Sequence, residues 1–236
     1  IVTGGYMSQR RTSVARKLIL VLASSIAVVL AAAAFGLSGF LTDKLEQKAL
    51  ESLQGTNRMV IDMIDTYNRS LEQTVQRLNR VFAANYPQPF GVDASGTLIH
   101  GSEPITLTNT AIPDRFTALS HVAATVLTRK GDDFERTSTS IKDEHGKRAS
   151  GVPLGAGHPA VPKLLKGEPY TGKAKMLGRD FMTHYEPIKD AGGTVIGAFF
   201  VGLDFTEGLA ALKKKVLAVK IGATGYAYAL DMGKDK

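Results

Sequence analysis

Leu18 to Thr42 is a run of 25 residues without one charged side chain. As a helix it spans about 37 Å at 1.5 Å per residue, more than the roughly 30 Å hydrocarbon core of a bilayer. Backbone amides in lipid must pair internally, so a segment of this composition is helical if it enters a membrane. Arg10, Arg11, Arg16 and Lys17 precede it, and Asp43 and Lys44 follow it. The positive-inside rule then places the N-terminus in the cytoplasm and everything after Thr42 outside. A cleaved signal peptide is the competing reading, with Leu18–Leu30 as its apolar region and Ala31–Ala34 offering small-residue cleavage sites. The apolar residues Phe35, Leu37, Phe40 and Leu41 continue beyond those sites and favour a retained anchor. Met7 is the expected start, and residues 1–6 are set aside.

The net charge of +7 invites a nucleic-acid reading. Four of those charges lie in residues 1–41, which hold no acid, and the remainder carries only +3. A nucleic-acid surface needs a concentrated basic stripe, and Lys213, Lys214 and Lys215 are the longest run in the body of the chain. No nucleic-acid partner is expected. With no cysteine, disulfides and Cys-based zinc sites are excluded.

From Asp43 to Asn85 the pattern predicts one long helix. Val60, Ile64, Tyr67, Leu71, Val75, Leu78 and Phe82 recur every three or four residues and form one apolar face. Tyr86-Pro87-Gln88-Pro89 ends it. A helix of this length packs on its own domain and has overhang near its membrane end for a dimer seam. Beyond it the chain reads as short strands and helices. Strands are expected at Val122–Arg129, Phe134–Ile141, Tyr170–Leu177, Met182–Ile188 and Thr194–Leu203. Asp190-Ala191-Gly192-Gly193 supplies a hairpin loop between the last two. Short helices are expected at Pro159–Leu165 and Phe205–Val219. The class is α+β, with an antiparallel sheet carrying helices on one side.

Four segments, in order and at natural spacing, carry a resemblance. Gly131-Asp132-Asp133-Phe134-Glu135-Arg136-Thr137-Ser138-Thr139-Ser140 resembles an opening segment of Cache sensor domains. Gly167-Glu168-Pro169-Tyr170-Thr171-Gly172-Lys173-Ala174 is similar to their next strand. The run from Gly178 to Ile188 and the closing Gly197–Asp204 resemble the following two, with Phe181 in place of a usual Tyr and Glu135 in place of an aliphatic residue. Lys220–Asp231 resembles the opening of a second module, as in the fused Cache 3/Cache 2 type. The resemblance implies a PAS-like domain with a small-molecule pocket on the concave face of its sheet. It also implies a transmembrane chemoreceptor of the methyl-accepting kind at the cell inner membrane, with a periplasmic sensor and an expected homodimer. Cytoplasmic chemotaxis proteins would be partners only through further domains. The sensor half of a histidine kinase or a cyclic-dinucleotide cyclase is the alternative. The expected division is a tail at 1–17, a membrane helix at 18–42, a long helix at 43–89, a first module at 90–219 and the start of a second at 220–236. That second start is expected to be loosely held.

Arg136, mid-strand, can hold a carboxylate through its planar two-donor fork. Strict alternation puts Phe134, Arg136, Ser138 and Ser140 on one face. Adjacent His184 and Tyr185 point to opposite faces, and Tyr185 combines an aromatic wall with a hydroxyl. The expected ligand-binding residues are therefore Arg136, Ser138, Tyr170, Arg179 and Tyr185, with a carboxylate as the favoured ligand. The five histidines show no metal-ligand spacing. No nucleophile motif occurs, so neither catalysis nor a cofactor is expected.

Overall fold

The computed structural model describes residues 14–221 and 225–226. They fall into two compact units, residues 14–58 with 220–221 and 225, and residues 59–219 with 226.

The first unit is dominated by the N-terminal part of helix α1 (Val14–Ala83). Every described side chain from Leu18 to Leu50 is exposed, large apolar ones included. This part of α1 is long and apolar enough to cross a membrane, and none of its most apolar window is buried in the protein. Three of its hydroxyls bond back to the helix. Ser24 and Ser25 donate to the Val21 and Leu22 carbonyls at 2.9 Å, and Thr42 donates to Ser38 at 2.8 Å. Such back-bonding lowers the cost of placing those hydroxyls in lipid. Two-residue strands β9 (Lys220–Ile221) and β10 (Gly225–Tyr226) pair with each other. Most of the expected opening of a second module, residues 222–224 and 227–236, lies outside the described residues.

The second unit contains the sheet. Its chain runs through β1 (Phe90–Val92), β2 (Leu98–His100), β3 (Glu103–Pro104), α2 (Ala111–Ser120), β4 (Ala123–Lys130) and β5 (Asp133–Thr139). It continues through α3 (Ala160–Leu165), β6 (Tyr170–Met176), β7 (Arg179–Lys189), β8 (Val195–Asp204) and α4 (Thr206–Leu217). The last five strands form one antiparallel sheet in the order β5-β4-β8-β7-β6. The first and last of these strands lie side by side in the centre, which is a PAS-like arrangement. β1, β2 and β3 form a separate small meander. The meander and α2 have no specific counterpart in the sequence reading. Three-residue strands carry too few alternations to show a period, and Pro113 sits inside the first turn of α2, where its missing N–H costs nothing.

Two apolar layers flank the sheet. On one face Leu71, Val75 and Phe82 of α1 bury against Val126, Met182, Phe199 and Val201. Phe82 lies 5.1 Å from Phe116 of α2 and 5.7 Å from Phe199, ring to ring, an edge-on aromatic cluster. The α1 residues are members of the apolar face expected from the spacing. On the other face Leu127, Phe134, Tyr185, Ala198 and Phe200 pack beneath Val161 and Leu164 of α3. β8 is buried on both faces from Val195 to Gly202, which explains its near-continuous apolar sequence.

Candidate functional site

The segment between β5 and α3 determines what covers the second face. Val152 and Leu154 return along the outer edge of β5. Arg136 N donates to the Val152 carbonyl at 3.0 Å, Gly151 N to the Arg136 carbonyl at 2.8 Å and Leu154 N to the Phe134 carbonyl at 2.8 Å. This strap extends the sheet by part of a strand. The Asp133 carboxylate holds its end, accepting from Gly155 N at 3.0 Å and from Phe134 N at 2.7 Å. The chain then turns through His158 into α3.

Tyr185 lies at the centre of that face and is 2% exposed. Its ring is 4.9 Å from Phe200, 5.2 Å from His158 and 6.1 Å from Tyr170, its register partner on β6. The Tyr185 hydroxyl is 3.2 Å from His158 Nε2. His158 Nδ1 accepts from the Ala160 N–H at 3.2 Å, so the neutral imidazole carries its proton on Nε2 and donates it to Tyr185. Burial lowers the His158 pKa and the Arg136 guanidinium lowers it further, while Asp133 opposes both. The imidazole is therefore neutral near pH 7. Burial pushes the Tyr185 hydroxyl upward, so it stays protonated. Arg136 stands at the rim, with Nη1 reaching the Val152 and Pro153 carbonyls at the long distances of 3.4 and 3.5 Å. Among the described residues it has no carboxylate within 4.0 Å. The result is an apolar floor carrying two phenols, one neutral imidazole and one cation without a paired anion.

Of the expected residues, the structure brings Tyr170 and Tyr185 together, and puts Arg136 on the edge strand at the other end of the sheet from Tyr170, with its charge reaching Tyr185. Ser138 is placed elsewhere, because β5 carries a bulge. Val126 pairs with Ser138 while its neighbour Leu127 pairs with Arg136, leaving Thr137 as the extra residue. The bulge reverses the alternation, which corrects the expectation of one shared face. Ser138 lies on the α1 face and donates to the Asn109 carbonyl at 2.6 Å, and Ser140 bonds Thr117 there at 2.6 Å. Arg179 shares a face with Tyr185 but is six residues away, roughly 20 Å along a strand. It pairs with Asp204 and stands 3.9 Å from Glu207. His184 points to the α1 face, where Nδ1 meets Thr171 Oγ1 at 2.7 Å and Nε2 meets Glu186 at 3.2 Å.

His158 and Asp133 were not among the expected site residues. The signal for His158 was its place one residue before Pro159, where a side chain can reach back over the first amides of a helix. Among the described residues no group of histidines and acids could hold a metal ion.

No curated protein matches the sequence. Among solved structures, the chain is similar to the ligand-binding domain of the Campylobacter jejuni chemoreceptor Tlp3 in complex with 4-methylisoleucine. That match has 10% identity, covers 73% of this chain and 64% of the other, and has a TM-score of 0.42. The same domain with L-valine matches at 11% identity, covering 66% and 60%, with a TM-score of 0.39. The sensory domain of Tlp3 with isoleucine bound matches at 11% identity, covering 66% and 59%, with a TM-score of 0.39. The chain thus spans less than two thirds of these chemoreceptor domains. The family model of the Cache 3/Cache 2 fusion domain matches residues 41–236, and the chain belongs to that family of sensory domains.

Proposed function

We propose that this chain is the extracytoplasmic, ligand-sensing part of a transmembrane chemoreceptor. Its ligand is a small carboxylate taken beneath the strap and α3. The observation that carries the reading is Arg136, a rim guanidinium held only by two long bonds to carbonyls, whose charge reaches the Tyr185 phenol and the His158 imidazole. A carboxylate would replace those bonds with a charge-assisted pair. The face is closed by the strap and α3, so the ligand enters by displacing one of them. The N-terminus is cytoplasmic, and the four basic residues before Leu18 support that orientation. The full chain forms a homodimer in the membrane.

The test is calorimetric titration of the full chain in lipid nanodiscs with a panel of small carboxylates and amines. Saturable binding of a carboxylate, lost in Arg136→Ala, is the expected result. Binding of amines alone would overturn the anionic reading. A C-terminal alkaline phosphatase fusion tests orientation: an inactive fusion in intact cells reverses the topology. Reading the gene beyond the codon for Lys236 tests the output. A long heptad hairpin supports the chemoreceptor, and a kinase or cyclase domain replaces that output with an enzymatic one.

A further inference from the structure

On the opposite side of the sheet from Tyr185, the edge strand β6 and helix α4 enclose a concavity of about 340 Å³. Its floor is Phe205 and Leu209, both packed into or against the α1-side core. Its walls carry Lys173 and Lys175 from β6 and Lys213 from α4, with Asp180 as the one acid among the lining residues. The topology produces this convergence. Lys173 and Lys175 are two apart on a strand, so they share a face, roughly 7 Å apart. Lys213 follows Leu209 by four residues, so it stands one turn above it on the same side of α4. The Lys173 ammonium is drawn over the Phe205 ring, 6.0 Å from its centroid.

Three exposed ammonium groups around one hollow give it a positive potential that favours an anion. Among the described residues none of the three has a carboxylate within 4.0 Å, although Asp180 lines the same hollow and is the register partner of Lys175. Lysines on an edge strand also keep it from pairing with other chains. That role accounts for Lys173 and Lys175, but requires neither Lys213 nor an apolar floor between them. Ammonium groups act as point charges and lack the planar fork that matches a carboxylate. Three of them around a hollow suit a tetrahedral oxyanion with more than one charge.

We propose that this concavity is a second binding site, separate from the Tyr185 face, for an organic phosphate monoester. The phosphate sits among Lys173, Lys175 and Lys213, and the organic group lies on Phe205 and Leu209.

The experiment uses the full chain in zwitterionic nanodiscs, titrated with phenyl phosphate and, separately, with inorganic phosphate. Saturable binding of phenyl phosphate is expected, weaker for inorganic phosphate. It should fall at least tenfold in Lys173→Gln/Lys213→Gln and stay unchanged in Lys147→Gln, which removes an exposed charge elsewhere. Phosphatidic acid in the nanodisc separates two sources of the same chemistry. An unchanged phenyl phosphate isotherm assigns the site to a soluble ester, and competition assigns it to a lipid headgroup. The proposal is overturned if phenyl phosphate does not bind, if the double variant binds it like wild type, or if Lys147→Gln loses as much affinity. Equal binding of inorganic phosphate overturns the role of the apolar floor.

Discussion

Replacing Arg148 should loosen the segment that leads into the strap without touching the proposed ligand. Arg148 makes a two-pronged pair with Asp114 of α2, through Nη1 at 2.8 Å and Nη2 at 2.6 Å. Nη1 also donates to the Thr139 carbonyl at 2.7 Å. The pair thus ties the loop after β5 to a helix on the other side of that strand. Hydrogen bonds to charged groups contribute about 1.5–3 kcal/mol when sheltered. The two side chains are 26% and 39% exposed, so screening reduces the total to about 1–2 kcal/mol. For a domain of this size that is roughly 3–6 °C in melting temperature. Arg148→Ala should show this loss by thermal denaturation, and Arg148→Lys should recover less than half, because one ammonium cannot make both prongs. The hydrogen bond from Arg148 is the main reason the Asp114 carboxyl lies below its usual 3.8, ahead of a smaller bond from Thr110 and the nearby positive charges. With the folded pKa below the unfolded one, this stabilisation is present above about pH 4 and is lost as pH falls through the folded value. The gap between wild type and Arg148→Ala should therefore close in acid. A gap that stays constant from pH 7 to pH 3, or full rescue by lysine, would refute the reasoning.

Two further substitutions test the proposed site and the sheet. Arg136→Ala should leave the melting temperature nearly unchanged, since the guanidinium makes only long bonds at the rim, yet weaken an anionic ligand by roughly ten- to a hundredfold, measured by titration. Unfolding of this variant would show the arginine to be structural. Gly197→Ala should destabilise the domain by about 1–3 kcal/mol in urea, because the new Cβ would land on the Leu127 carbonyl where β4 and β8 pair. A change under about 0.5 kcal/mol would mean the two strands part without cost.

The legible parts of the fold are those where one periodicity runs long enough. Val60 to Phe82 repeats at helical spacing over six steps, and the apolar face it predicts includes Leu71, Val75 and Phe82, which α1 buries together with the polar Asn79. Turn chemistry at Gly131-Asp132 and Asp190–Gly193 marks two of the three hairpins of the main sheet, where Gly131 and Gly193 take positive φ. The bulge at Thr137 was not legible. Phe134 to Ser140 alternates well enough to suggest an unbroken strand, and Thr137, Ser138 and Thr139 are small and buried on either side alike. Polar residues of that size bond equally well to a neighbouring strand or to a loop carbonyl, so composition does not reveal which way they face. The pairing of His158 with Tyr185 was illegible for a related reason, although the place of that histidine before Pro159 was a local signal. Its role depends on a tertiary meeting between the start of α3 and the middle of β7, 27 residues apart.

The two faces of the sheet are held by different forces, and this decides which one can open. The α1 face is closed by rings: Phe82, Tyr86, Phe90, Phe116 and Phe199 meet at 5.1–5.7 Å. Separating that layer exposes several aromatic side chains at about 1.5–3 kcal/mol each. The strap is held by three backbone hydrogen bonds, by Asp133, by the loose reach of Arg136 and by one partly buried apolar side chain, Leu154. Each neutral bond contributes only about 0.5–1.5 kcal/mol net, because water replaces it when it breaks. Displacing the strap should therefore cost less than parting the α1 layer, and it would expose the cation that a carboxylate would seek. Because β7 and β8 present Tyr185 and Phe200 to one face and Met182, His184 and Val201 to the other, neither side can shift without moving the neighbours of the other. His184 reaches α1 through Thr171, whose hydroxyl also accepts from Gln76 at 3.3 Å. A ligand need only favour one strap position by a few kcal/mol to bias that linkage, since a population shifts by no more than the differential affinity for its two states.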